Sequence, residues 1–178
     1  MSIKTIAAKL FAKQIYTKTQ SWANNPVTTQ QKVFKDLIQK AQKTKFGIDH
    51  HFETIQSYED FAKKVPIRDY EALKSYVDLV VKGEENILWP GKPLYFAKTS
   101  GTTSGAKYIP LTAESMPYHI EAARNAILLY IHETGKAEFV DGKMIFLQGS
   151  PILEEKNGIK LGRLSGIVAH FVPKYLQK

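Results

Sequence analysis

The chain has 178 residues, no cysteine and a formal net charge of +8. That length suits one domain with a sizeable core, and a hydrophobic content of 43% excludes a disordered polymer. Without cysteine there is neither a disulfide framework nor a thiolate nucleophile, and no apolar run approaches the roughly 20 residues that cross a bilayer as a helix.

The charge is concentrated at the start. Residues 1–50 carry nine lysines against Asp36 and Asp49, a net +7, and the remainder nets +1. A basic binding module for nucleic acid or an anionic membrane would use such a segment. Arginine is absent from it and no basic–aromatic ladder accompanies it, so the lysines read as solvated helix faces, with neither nucleic acid nor membrane expected as a partner.

In chain order, Ile3, Ile6, Ala7, Leu10, Phe11 and Ile15 recur at helical spacing and predict an amphipathic helix ending before Asn24-Asn25-Pro26. A mitochondrial presequence is the rival reading, and the absence of arginine speaks against it. Thr28 or Thr29 is expected to cap a second helix carrying Val33, Phe34, Leu37, Ile38 and Ala41, ending near Gly47. Ser57 with Asp60 three positions on forms an acidic variant of a capping box, and Pro66 ends that short helix. Asp69 caps a further helix with Leu73, Tyr76, Val77 and Val80 on one face, closing at Gly83. Two apolar runs follow, Leu94–Ala97 and Tyr108–Leu111. Thr112 or Ser115 starts a long helix through Ala122, Ala123, Ala126, Ile127, Tyr130 and Ile131, with Pro117 in its first turn and Gly135 at its end. Met144–Leu147 reads as a buried strand, and Ile167–Phe171 fits helix or strand.

Between the two apolar runs lies Thr99-Ser100-Gly101-Thr102-Thr103-Ser104-Gly105-Ala106-Lys107, in which seven of nine residues are Gly, Ser or Thr. Glycines let backbone N–H groups converge, hydroxyls add donors and Lys107 adds charge, which together suit phosphate. Such clusters also form ordinary turns. The spacing departs from a Walker loop: three residues separate Gly101 from Gly105, Ala106 precedes the lysine and Tyr108 follows it. Ser104 and Lys107 also fit Ser-x-x-Lys, without a Ser-Asp-Asn or Lys-Thr-Gly companion in a suitable place.

Several blocks together resemble the auxin-responsive Gretchen Hagen family of acyl-acid amido synthetases. They are Val65–Glu71, Gly83–Gly91 leading into Phe96–Gly105, Gly142–Pro151, and Gly162–Gly166 running on to Val172–Leu176. They fall in the family's order over roughly residues 55–178. The resemblance implies a helix-rich α/β fold, the N-terminal part of an adenylate-forming (acyl-activating) domain with an incomplete sheet. It would be a single piece over 1–178, helical over 1–83, with the phosphate loop and its strands and helix over 84–178. It implies activation of a carboxylic acid with ATP and Mg²⁺ to an acyl-adenylate, then amide formation with an amino acid, in the cytoplasm. Thr99, Ser100, Gly101, Thr102, Thr103, Ser104, Gly105 and Lys107 would bind the ATP phosphates. The loop is one residue shorter than in the plant members and closer to the bacterial relatives. The family's other nucleotide-binding blocks and its mobile C-terminal domain would follow Lys178, so this piece is expected to be inactive alone. The alternative is a basic or partner-binding fragment without catalysis.

The other candidates stay ordinary. The five histidines lack metal-site spacing. Asp69 and Glu71 could pair, but a cap explains Asp69. Trp22 and Trp89 read as packing residues, and Arg163 as either a substrate contact or a surface arginine.

Overall fold

The computed structural model of the chain describes residues 2–99, 107–143, 145 and 147–172. The helix α1 (Ile3–Ala23) begins at Ser2, whose hydroxyl accepts the Thr5 N–H at 3.1 Å, and ends at Asn24. Its buried stripe meets the expected one only at Ile15. Thr5, Ala12 and Ile15 are inside, with Ala8 partly so, while Ile3 and Leu10 are 86% and 67% exposed. The buried stripe starts two residues later, nearly the opposite side of a helix that turns about 100° per residue. Small side chains decide this, because Ala8 and Ala12 admit close packing beside Leu128 and Ile131, and the Thr5 hydroxyl reaches Asp141 at 2.9 Å.

Helix α2 (Pro26–Ala41) starts before the threonines, with Pro26 in the first turn where its missing N–H costs nothing. Only Ile38 and Ala41 are buried on it, and Val33 and Leu37 are exposed. Gly47 does not end it. It lies inside the short helix α3 (Lys45–Asp49), where a Cβ would sit 2.1 Å from the Ala41 carbonyl oxygen, so glycine permits that close approach. A 3₁₀ turn at Phe52–Thr54 leads to α4 (Tyr58–Lys64). There the capping box is formed: Ser57 Oγ accepts from the Asp60 N–H and Asp60 Oδ2 from the Ser57 N–H, each at 3.1 Å. Helix α5 (Tyr70–Val81) is capped by Asp69, whose Oδ1 accepts the Ala72 N–H at 2.9 Å, and Gly83 turns away at φ +94°.

The sheet has the order β2-β1-β4-β3, formed by β1 (Tyr95–Lys98), β2 (Tyr108–Leu111), β3 (Glu154–Lys156) and β4 (Ile159–Gly162). β1 pairs antiparallel with β2 and parallel with β4. β3 and β4 form an antiparallel hairpin. Its turn is Asn157-Gly158 with φ 52° and 75°, positions that a right-twisted two-residue hairpin requires.

Helix α6 (Met116–Thr134) follows a reciprocal Thr112–Ser115 turn, carries Pro117 near its start and ends at Gly135 with φ +70°. The helix runs through Ala122, Ala123, Ala126, Ile127, Tyr130 and Ile131 as expected; Met116, Leu128 and Ile131 are its buried residues, and Ala122, Ala123 and Ala126 face solvent. Ile167 is buried in α7 (Leu164–Ala169), so Ile167–Phe171 begins as helix.

One sheet face, Phe96 with Ile159 and Leu161, packs on Val80 and Ile87; the other, Tyr95 with Ala97 and Leu111, packs on Met116 and Ile167. The result is the helix-rich α/β arrangement with a small mixed sheet. The expected strand at 144–147 is not present among the described residues. Ile145 and Leu147 are almost fully exposed, because no described strand pairs with them, and Met144 and Phe146 lie outside the described residues.

Candidate functional site

The hydroxyl-rich segment is the connection of an antiparallel pair. β1 enters it and β2 leaves it, and the Thr99 N–H donates to the Lys107 carbonyl at 3.2 Å, closing the stem. Thr99 and Lys107 are therefore neighbours across nine residues of chain. Ser100, Gly101, Thr102, Thr103, Ser104 and Gly105 lie outside the described residues, as does Ala106. β1 is a rigid support, since Phe96 is fully buried and Tyr95 and Ala97 nearly so.

The Lys107 ammonium lies 5.2 Å from the centroid of the Tyr70 ring, within reach of a cation–π contact. Among the described residues it has no carboxylate partner. The Tyr70 hydroxyl accepts the Tyr108 N–H at 2.9 Å. Among the described residues β2 is the sheet's edge, with no strand beyond that N–H, and a side chain from α5 takes the place of one. Two more lysines flank the stem. Lys98 pairs with Glu154 at 2.8 Å, and Lys156 sits 5.2 Å from the centroid of the Tyr108 ring. Of these three lysines only Lys98 is ion-paired among the described residues, a surplus of positive charge that suits an anion.

The sequence singled out Lys107 but not Tyr70, although Tyr70 stands within the Val65–Glu71 block and directly after the Asp69 cap. Two other glycine-bearing blocks also meet. The Gly149 N–H donates to Ser165 Oγ at 2.9 Å, a Cβ on Gly166 would lie 2.1 Å from the Ser150 carbonyl oxygen, and His170 Nε2 is 2.7 Å from the Pro151 carbonyl. Arg163 stands at the N-cap of α7 with its aliphatic stem against Gly149.

Trp89 packs beside Phe52 and Ile55, and its indole N–H donates to Glu114 at 3.1 Å; Trp22 is half exposed rather than packed. A shallow apolar cleft of about 250 Å³ runs past Ile87, Trp89, Pro93 and Pro110 and does not include the loop stem. Beside α3, Lys45 bonds Asp49 at 2.9 Å and the Tyr76 hydroxyl donates to it at 2.8 Å, holding the Asp49 carboxyl below its ordinary value. Burial, with that same bond, pushes the Tyr76 hydroxyl up. Among the described residues no group of three His, Asp or Glu side chains is placed to hold a metal ion, and no helix is long and apolar enough to cross a membrane.

Residues 15–177 match the model of the GH3 family N-terminal domain. The chain belongs to the GH3 family. Over 83 residues it is 39% identical to indole-3-acetic acid-amido synthetase GH3.15 of Arabidopsis thaliana, covering 45% of this chain and 14% of that protein. The fold is similar to two solved structures. One is the AtGH3.15 acyl acid amido synthetase in complex with 2,4-DB, with a TM-score of 0.76 at 21% identity, covering 90% of this chain and 28% of that one. The other is the GH3.15 acyl acid amido synthetase, with a TM-score of 0.70 at 19% identity, covering 93% and 28%. This GH3 chain therefore spans between a seventh and about a quarter of the relatives it matches. The stem of the hydroxyl-rich connection, its lysine and its tyrosine support all lie within the matched GH3 residues.

Proposed function

We propose that this chain supplies the phosphate-binding part of an ATP-dependent acyl-acid amido synthetase. Family membership supports the reaction class, and the observation that carries the local reading is Lys107, a cation without a carboxylate partner among the described residues, at the stem of a Gly/Ser/Thr connection. The residues present fit a triphosphate. The hydroxyls of Thr99, Ser100, Thr102, Thr103 and Ser104 can donate, glycine at 101 and 105 carries no side chain to shield a backbone amide, and Lys107 would neutralise charge. Mg²⁺ would be held chiefly by phosphate oxygens, since this ion keeps few protein ligands. ATP supplies the leaving group that turns an unreactive carboxylate into an electrophile.

The protein's own task is electrostatic and positional. The buried strand β1 fixes where the connection starts, the edge strand β2 fixes where it ends, and the stem lysines draw the anion in. The acid and the amino acid acceptor would be held by a longer protein of which this chain is a part, and the 178 residues alone would bind MgATP weakly and form no acyl-adenylate. In that longer protein the exposed Ile145 and Leu147 would be covered.

The test is MgATP affinity before and after Lys107→Ala. A charge-assisted hydrogen bond contributes about 1.5–3 kcal/mol, so the substitution is expected to weaken binding roughly 10- to 100-fold. Unchanged affinity would remove the phosphate role of Lys107. Acyl-adenylate formation by the 178 residues alone would overturn the assignment of catalysis to the longer protein.

A further inference from the structure

We propose that Tyr70 is a positioning residue for the phosphate site, acting through Lys107; the inference rests on the phosphate reading given above. Tyr70 makes two contacts with two consecutive residues at the exit of the connection. Its hydroxyl accepts the Tyr108 N–H at 2.9 Å, and its ring faces the Lys107 ammonium at 5.2 Å from the centroid. The first contact anchors the start of an edge strand whose outward N–H has no strand partner. The second restrains a side chain that otherwise has many rotamers, whose loss on binding would weaken any phosphate contact.

Tyr70 is itself well fixed. It is the first residue of α5, immediately after Asp69, whose carboxylate accepts the Ala72 N–H at 2.9 Å. The other end of α5 is anchored by Val77 and Val80, both nearly fully buried. A rigid helix thus carries a ring to the loop exit and holds the lysine there. A cation–π contact suits this task better than an ion pair, because a carboxylate partner would compete with the incoming phosphate and a ring face competes far less. Lys98, already bonded to Glu154 at 2.8 Å, illustrates the contrast. The capped block around Asp69 and Tyr70, separated from Lys107 by more than thirty residues of sequence, thereby gains a role at the phosphate site.

The test is calorimetric titration of MgATP into the 178-residue chain and its Lys107→Ala, Tyr70→Phe, Tyr70→Leu and Tyr70→Leu/Lys107→Ala forms, with folding checked by circular dichroism. Tyr70→Leu is expected to weaken binding about two- to fivefold, the size of an exposed cation–π contact. Tyr70→Phe keeps the ring and stays within about twofold of wild type. The double variant is expected to bind no more weakly than Lys107→Ala, because the ring acts only through the lysine. Losses that multiply in the double variant, or a Tyr70→Leu chain that binds like wild type, would overturn the proposal. If Lys107→Ala itself bound like wild type, the phosphate reading would fall first, a result distinct from the failure of Tyr70 alone. A second readout needs no variant. The terminal methylene protons of Lys107 should be shifted upfield by the ring in the free chain and keep that shift as MgATP is added; unshifted protons in the free chain, or a shift lost on MgATP binding, would overturn the proposal.

Discussion

Around β1 the apolar side chains are covered on both sides, Phe96 by Val80 and Ile159, Tyr95 and Ala97 by Met116 and Ile167. Along α1 the balance is different: Ile3, Ile6 and Leu10 face solvent while Thr5, Ala8, Ala12 and Ile15 make the packed seam. The two regions divide the work. The sheet and α5 form the part that cannot move without loss of core, and the loop stem, Lys107 and Tyr70 are built on it. The α1–α6 pair is held by close approach, hydrogen bonds of Ser2 and Thr5 tie the start of α1 to Asp141 in the turn after α6, and apolar surface is left available. The proposed triphosphate site would benefit from standing on the first region, where preorganisation costs no reorganisation on binding.

The comparison is broken most directly by Phe96→Ala. A fully buried aromatic at the centre of the sheet should cost about 3–5 kcal/mol of stability in urea unfolding; a loss under about 1 kcal/mol would mean that β1 is not the support described. Next comes Gly166→Ala, whose Cβ would press on the Ser150 carbonyl at 2.1 Å. Displacing that segment should cost about 1–3 kcal/mol, and an unaffected melting curve would contradict the close approach. Asp69→Ala removes the cap of the helix that carries Tyr70 and should cost about 0.5–2 kcal/mol.

The acid limb of stability sharpens the contrast on the α1 side. Hydrogen bonds from Ser2 and Thr5 hold the Asp141 carboxyl below its ordinary value. A carboxyl lowered in the folded state stabilises fully above its unfolded value, near 4, and loses that contribution as pH falls through its folded value. Asp141→Asn should therefore lower stability at neutral pH and reduce the difference from wild type in the acid limb; a constant difference at every pH would contradict the bonding. The smallest effect is expected from Leu10→Ala, within about 0.5 kcal/mol of wild type, because its side chain is mostly in solvent. A larger loss would place α1 in a different orientation.

Much of the local architecture was legible in the residues. Ser57 with Asp60, Asp69, Pro117 and Gly135 stand where helix ends need them, because caps are decided by a few adjacent residues. The buried face of α1 was not, since both the Ile3–Ile6–Leu10 and the Thr5–Ala8–Ala12 stripes repeat at helical spacing and only the partner helix chooses between them. The β3–β4 hairpin announced itself through Asn157-Gly158, but Glu154, Glu155 and Lys156 dilute the apolar signal of a strand that is exposed along its length. Of the proposed site, Lys107 and Thr99 stand out in the loop's composition. Tyr70 does not stand out, because its contacts to Lys107 and Tyr108 span 37 and 38 positions and no short-range pattern encodes them.

The central claim is that MgATP binds at the connection between β1 and β2. Amide chemical-shift mapping of the labelled 178-residue chain during a MgATP titration tests it most directly. The account predicts that the shifted resonances cluster at Thr99–Lys107, extend to Tyr70 and Tyr108, and diminish strongly in Lys107→Ala. Shifts confined to the lysines of residues 1–50, fading with salt, would contradict it and point to a basic binding module instead.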